Sequence, residues 1–179
     1  MEGLIDDGWF AGVLDVTTTE WADEVVGGVL TAGPGRLSAA GRKPVPQVVS
    51  VGALDMVNFG APESLPEPFR ARRLYRHNPS VTLMRTTPDE CHEIGTRIAG
   101  QLNQAKGPVV VVLPLRGVSM IDRDGQPFHD PVADAALFTA LREGLRKEIP
   151  VREVDSHIND PEFANALADE LLALLSAPR

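Results

Sequence analysis

Side chains able to do chemistry recur in this sequence at and just beyond the ends of short apolar runs. Thr17, Thr18, Thr19 and Glu20 follow the run Ala11 to Val16, and Ser50, Gly52, Asp55 and Asn58 stand at or past the end of Gln47 to Val51. Asn78 precedes Val81 to Met84, which leads into Arg85 and Thr86; Arg116, Gly117 and Ser119 follow Val109 to Leu113. Hydroxyls, amides and free backbone N–H groups donate to phosphate or carboxylate oxygens, and an arginine fork supplies matching charge. These residues are the expected ligand contacts, and the expected ligand is a small anion. His77 and His157, with Asp55 and Asp155, are the candidates for acid–base chemistry or metal ligation. No helical His-Glu-x-x-His pairing is present to fix a metal, and each histidine also reads as a hydrogen-bonded structural residue.

Each piece has a plainer reading beside the functional one. Thr17 and Glu20 have capping-box spacing for a helix running to about Gly27. Gly33-Pro34-Gly35-Arg36 lacks the lysine and spacing of a phosphate-binding P-loop and reads as a flexible loop. Arg70, Arg72, Arg73 and Arg76 read equally as a solvated surface, and Asp130 and Asp160 are helix caps ahead of prolines. Gly117-Val118-Ser119-Met120 lacks the second glycine of a nucleophile elbow. Convergence of the strand-end segments, and no single member, favours a site.

That convergence requires a particular scaffold. Four consecutive valines and a leucine, Val109 to Leu113, have no polar alternation and predict a central parallel strand covered on both faces. Ala11 to Val16, Gln47 to Val51, Val81 to Met84 and Val151 to Val154 predict further strands. Helices are predicted over residues 2–10, from Thr17 to about Gly27, over 37–40, from Thr87 to about Lys106, from Asp130 to about Glu148, and after Asp160. Thr87-Pro88-Asp89-Glu90 is the clearest local signal, a capping box with proline at the first helical position. Ile121 to Phe128 reads as a small hairpin turning at Asp124-Gly125. Strands alternating with helices predict a three-layer α/β fold, Rossmann-like, with a mostly parallel sheet of about five strands and helices on both faces. In such sheets ligands bind beyond the carboxyl ends of the strands.

The 179 residues fit one α/β domain spanning 1–179, with no repeat or internal boundary. Charged residues make up 23% of the chain, with 17 Lys and Arg against 25 Asp and Glu, a net charge of −8 that disfavours non-specific nucleic-acid binding. The single cysteine, Cys91, rules out an internal disulfide and reads as a buried, inert thiol. No apolar run is long enough to span a bilayer, and residues 1–7 lack the features of a signal peptide, so a soluble, cytoplasmic protein is expected.

Several long strings resemble one family. They are Gly12-Val-Leu-Asp-Val-Thr-Thr-Thr-Glu20, Gly52-Ala-Leu-Asp-Met-Val-Asn-Phe-Gly60, His77-Asn-Pro-Ser-Val-Thr-Leu-Met-Arg-Thr86, Leu113-Pro-Leu-Arg-Gly-Val-Ser119 and His157-Ile-Asn-Asp-Pro161. They are similar to the bacterial and plant proteins related to the tomato mosaic virus resistance protein. The resemblance covers nearly the whole chain. It implies an ATP-binding region of two α/β halves, of which this chain looks like the second. ATP would then lie between the halves, with the glycine-rich loops of the first half supplying the rest of the contacts.

Three functions are therefore in view. The leading one is a nucleotide- or phosphoanion-binding domain working with an N-terminal partner half. The second is an enzyme acting on a small carboxylate or amide through His77 or His157 with Asp55 or Asp155. The third is an oligomerisation module using Trp9 and Phe10 as an exposed apolar patch.

Overall fold

The computed structural model describes residues 2–177. Its centre is a parallel sheet of four strands, β1 (Val13–Thr17), β2 (Gln47–Gly52), β6 (Val109–Pro114) and β7 (Val151–Val154), in the order β1-β2-β6-β7. Every residue of β2 and β6 is buried, which is why neither shows polar alternation. The valine run divides its side chains between two cores. Val109, Val111 and Leu113 pack with Ile94, Ile98 and Leu102 of α4 (Pro88–Leu102) and Leu137 and Leu141 of α5 (Pro131–Gly144). Val110 and Val112 pack with Phe163 and Leu167 of α6 (Pro161–Ser176) on the opposite face.

The strand order advances in one direction without reversal. Right-handed crossovers in such a sheet put every connecting helix on the same side. Trp21 and Ala22 of α2 (Glu20–Val26) accordingly share the core of α4 and α5, and α6 covers the other face after the last strand. The fold is α/β with helices on both faces, as the alternation predicts.

Among the described residues four parallel strands are present where about five were expected. Val81 to Met84 lies in β5 (Val81–Arg85), the middle strand of a separate antiparallel sheet, between β3 (Met56–Phe59) and β4 (Leu74–Asn78). The reason is local. Asn78 Oδ1 accepts the Ser80 N–H at 2.8 Å, turning β4 directly into β5, and so tight a turn joins only antiparallel strands. The expected hairpin over Ile121–Phe128 is a compact loop without strands, closed by Phe128 N–H donating to the Ile121 carbonyl. Asp122 is drawn into the core there, which breaks the alternation a hairpin needs.

The helix starts divide likewise. Thr87 and Glu90 form the predicted capping box on α4, and Asp130 accepts the Ala133 N–H to cap α5. The Thr17–Glu20 box does not form: Thr17 closes β1, Thr19 precedes α2 without a side-chain cap, and Thr18 points inward. Asp160 precedes α6 without capping it; its oxygens take the His157 N–H and Arg123 instead. The first helix, α1, covers Glu2–Asp6 only, and Trp9 and Phe10 beyond it are exposed.

The segment read as a flexible loop at 33–36 is pinned by charge. Arg36 is buried, 2.7 Å from Asp15, 3.3 Å from Glu2 and 3.4 Å from Glu20. Glu2 also accepts the N–H groups of Leu37 and Ala39 at the start of α3 (Ser38–Arg42). No described helix is long and apolar enough to cross a membrane.

Candidate functional site

Parallel strands deliver their carboxyl ends to one edge, and there β1, β2 and the turn after β6 enclose a pocket of about 190 Å³. Thr17, Gly52 and Ser119 line it, with Ala53, Val118 and Asn159 beside them. Gly52 permits the approach: a Cβ there would lie 2.6 Å from the Val16 carbonyl oxygen and 2.9 Å from Ile158 Cδ1. Ala53 follows in the left-handed region at φ 58°, an unfavourable conformation for an alanine, held by its N–H donating to the Val118 carbonyl.

Ser119 carries the pocket's chemistry. Its hydroxyl donates to Asp55 Oδ2 at 2.7 Å, and Asp55 is 1% exposed. Burial pushes the Asp55 carboxyl up to about 6, outweighing the opposing hydrogen bond from Ser119 and the charge of Arg85. Among the described residues Asp55 Oδ1 has no hydrogen-bond partner.

His157 holds this turn with both ring nitrogens. One ring nitrogen, Nε2, lies 2.8 Å from the Ser119 carbonyl, and Nδ1 accepts the Asn159 N–H at 3.2 Å. With Nδ1 an acceptor, the proton sits on Nε2 and is donated to Ser119. Gly117, at φ 119°, brings the turn against this ring; a Cβ there would stand 3.0 Å from His157 Cδ2.

The two expected counter-charges are both committed. Arg85 is buried, with a guanidinium nitrogen 2.7 Å from Asp134 and 3.1 Å from Asp122, and its Nε donates to the Phe128 carbonyl at 2.7 Å. Burial pushes both aspartates up; the charge of Asp55 adds to it at Asp122, and that of Asp122 at Asp134, while Arg85 opposes both. Arg116 is exposed and bidentate to Asp155, at 2.6 and 2.9 Å, and the guanidinium holds the Asp155 carboxyl below its usual range.

The remaining candidates stand apart from the pocket. Thr18 donates to the Ser50 carbonyl at 3.0 Å and Thr86 to the Leu54 carbonyl at 3.0 Å, both within the core. Asn58 joins β3 to α2 through Asp23, at 2.7 Å, and reaches Thr19 at 3.4 Å; Glu20 faces Arg36. His77 and Asn78 lie exposed on β4, in the other sheet. Among the described residues no group of three or more His, Cys, Asp or Glu is arranged to hold a metal ion.

Sequence reasoning missed Asp122 and Asp134 as partners of Arg85, and Asp15 as the partner of Arg36. The available signal was a charge within an apolar run, Asp15 in Val-Leu-Asp-Val and Arg85 after Thr-Leu-Met, since a buried charge requires an opposite one.

Comparison with known proteins finds relatives of this chain. Residues 1–175 match the C-terminal domain of the uncharacterised protein family UPF0261. The chain is 53% identical over 176 residues to a UPF0261 protein of Clostridium tetani, covering 98% of this chain and 44% of that one. It is 54% identical over 168 residues to UPF0261 protein RA0729 of Rhizobium meliloti, covering 93% of this chain and 42% of that protein. The ToMV resistance protein Tm-1(GCR237) of Solanum lycopersicum is 46% identical over 176 residues, 97% of this chain and 23% of the plant protein. The chain thus spans less than half the length of these relatives. By the extent of these matches, it belongs to the UPF0261 family and corresponds to its C-terminal domain.

Proposed function

We propose that this domain forms one wall of a nucleotide- or phosphoanion-binding site, completed by the N-terminal half found in the longer relatives. The observation that carries the reading is the pocket where Thr17, Gly52, Ser119 and Asn159 meet at the carboxyl edge, with no lysine or arginine among the described residues lining it. Hydroxyl, amide and main-chain groups can orient a phosphate, and its charge must be met from another surface, because Arg85 and Arg116 already hold carboxylates. The relatives are more than twice as long, and their additional length is where this reading puts such a surface. ATP is the nucleotide implied by the resemblance to the tomato mosaic virus resistance group.

Isothermal titration of ATP and of inorganic phosphate into this chain alone, and into a protein containing both halves, tests the proposal. ATP binds the two-part protein and binds this chain at least about a hundredfold more weakly, the loss of roughly two charge-assisted hydrogen bonds. Absence of binding by the two-part protein removes the reading.

A further inference from the structure

We infer that Ser119 is a nucleophile toward small acyl groups and that Asp55 is the base that takes its proton, so that the pocket hydrolyses a small ester or thioester. The inference uses the pocket of the preceding proposal: the acyl group enters beside Ser119, and any phosphoanion it carries faces the N-terminal half.

Geometry supplies the parts. Ser119 lines the pocket and donates its hydroxyl proton to Asp55 Oδ2 at 2.7 Å, within the range a general base needs. Among the described residues nothing hydrogen-bonds the buried Asp55 Oδ1, so the anion is weakly stabilised and readily takes the serine proton on Oδ2. The turn bearing Ser119 is braced on three sides. Its carbonyl faces His157 Nε2 at 2.8 Å, the Val118 N–H donates to Asp122 Oδ2 at 2.9 Å, and the Val118 carbonyl accepts the Ala53 N–H. Such bracing holds a nucleophile in one orientation, which is the condition for effective attack.

The electrophile follows from charge. Asp55, Asp122 and Asp134 surround one cation, Arg85, behind Ser119, and among the described residues no arginine or lysine lines the pocket. A neutral carbonyl group sits beside Ser119 without electrostatic cost, and a phosphoanion on the same molecule lies away from Asp55, toward Thr17, Asn159 and the N-terminal half. A pocket of about 190 Å³ admits an acyl group of a few carbons.

In the first step Ser119 Oγ bonds to the carbonyl carbon, its proton passes to Asp55, and the bond to the leaving alcohol or thiol breaks as Asp55 returns that proton to it. Water then attacks the acyl-Ser119 ester, Asp55 takes a proton from the water, and the carboxylic acid leaves as Ser119 recovers its hydrogen. The net change is ester or thioester plus water to acid plus alcohol or thiol.

p-Nitrophenyl acetate, incubated with this chain, provides the test through p-nitrophenol release, intact mass and peptide mapping. The expected result is one acetyl group on Ser119, absent in Ser119→Ala and formed at least about a hundredfold more slowly in Asp55→Asn. The acetylation rate rises with pH as Asp55 loses its proton. Peptide mapping of the unsubstituted chain locates the adduct even if a variant fails to fold. The absence of both an acetyl group on Ser119 and Ser119-dependent p-nitrophenol release, or an undiminished rate in folded Asp55→Asn, overturns the inference. Acetylation of Ser119 without ATP binding by the two-part protein supports this inference and removes the preceding reading. ATP binding with neither acetylation of Ser119 nor Ser119-dependent p-nitrophenol release does the reverse.

Discussion

Arg85 and Asp134 meet 2.7 Å apart, joining the last residue of β5 to the first turn of α5. The same guanidinium reaches Asp122 at 3.1 Å and the Phe128 carbonyl, so one side chain fastens the antiparallel sheet and the 115–130 loop to the main body. That loop carries Ser119. Replacing Arg85 by methionine leaves buried carboxylates unpaired, and a loss of about 3–5 kcal/mol at pH 7 is expected. Urea denaturation measures it, and the loss shrinks at pH 4, where the carboxylates are protonated.

The chemistry of Asp55 sets a pH dependence. Its folded carboxyl is raised to about 6, above the unfolded value near 3.8. The folded state therefore holds a proton that the unfolded chain has already released. Asp55 contributes stability that is fully present below about pH 4 and is lost as pH rises through about 6. The loss amounts to at most roughly 3 kcal/mol. Asp55→Asn removes this component, so its stability relative to the unsubstituted chain rises between pH 4 and 7; urea midpoints at the two pH values give the comparison.

Close backbone approach at the pocket predicts opposite outcomes for two glycines. Gly52→Ala drives a Cβ toward the Val16 carbonyl and destabilises by about 1–3 kcal/mol. Gly100, inside α4 with open space around it, becomes more stable by about 0.5–1 kcal/mol as alanine. Thermal unfolding of the two single variants separates the effects.

At the start of α4 both halves of the capping box are made, Glu90 N–H to Thr87 Oγ1 at 3.2 Å and Thr87 N–H to Glu90 Oε2 at 2.7 Å. Thr87→Ala is expected to cost about 1 kcal/mol. Arg116→Ala, which breaks only an exposed pair, leaves the unfolding midpoint unchanged.

Local signals with a single physical cause were legible in the sequence. The valine run could only be a doubly covered strand, and Thr87-Pro88-Asp89-Glu90 could only open a helix. What escaped were features set by pairing across the chain. Val81 to Arg85 has the composition of a parallel strand, but its neighbours β3 and β4, short and partly polar, assign it to another sheet. Thr17 and Glu20 have capping spacing, yet Thr18 is drawn to Ser50 in β2 and moves the helix start. At the candidate site, Thr17, Gly52 and Ser119 were legible because strand ends in a parallel sheet share an edge. The engagement of Arg85 was not, because Asp122 and Asp134 stand 37 and 49 residues away in sequence.

The central claim is that the carboxyl-edge pocket receives the ligand, and amide chemical-shift mapping of the two-part protein titrated with ATP tests it most directly. The largest shifts are predicted at Gly52, Ser119 and Asn159. Saturable shifts confined to other parts of this domain, such as β4 or the outer face of α6, would contradict it.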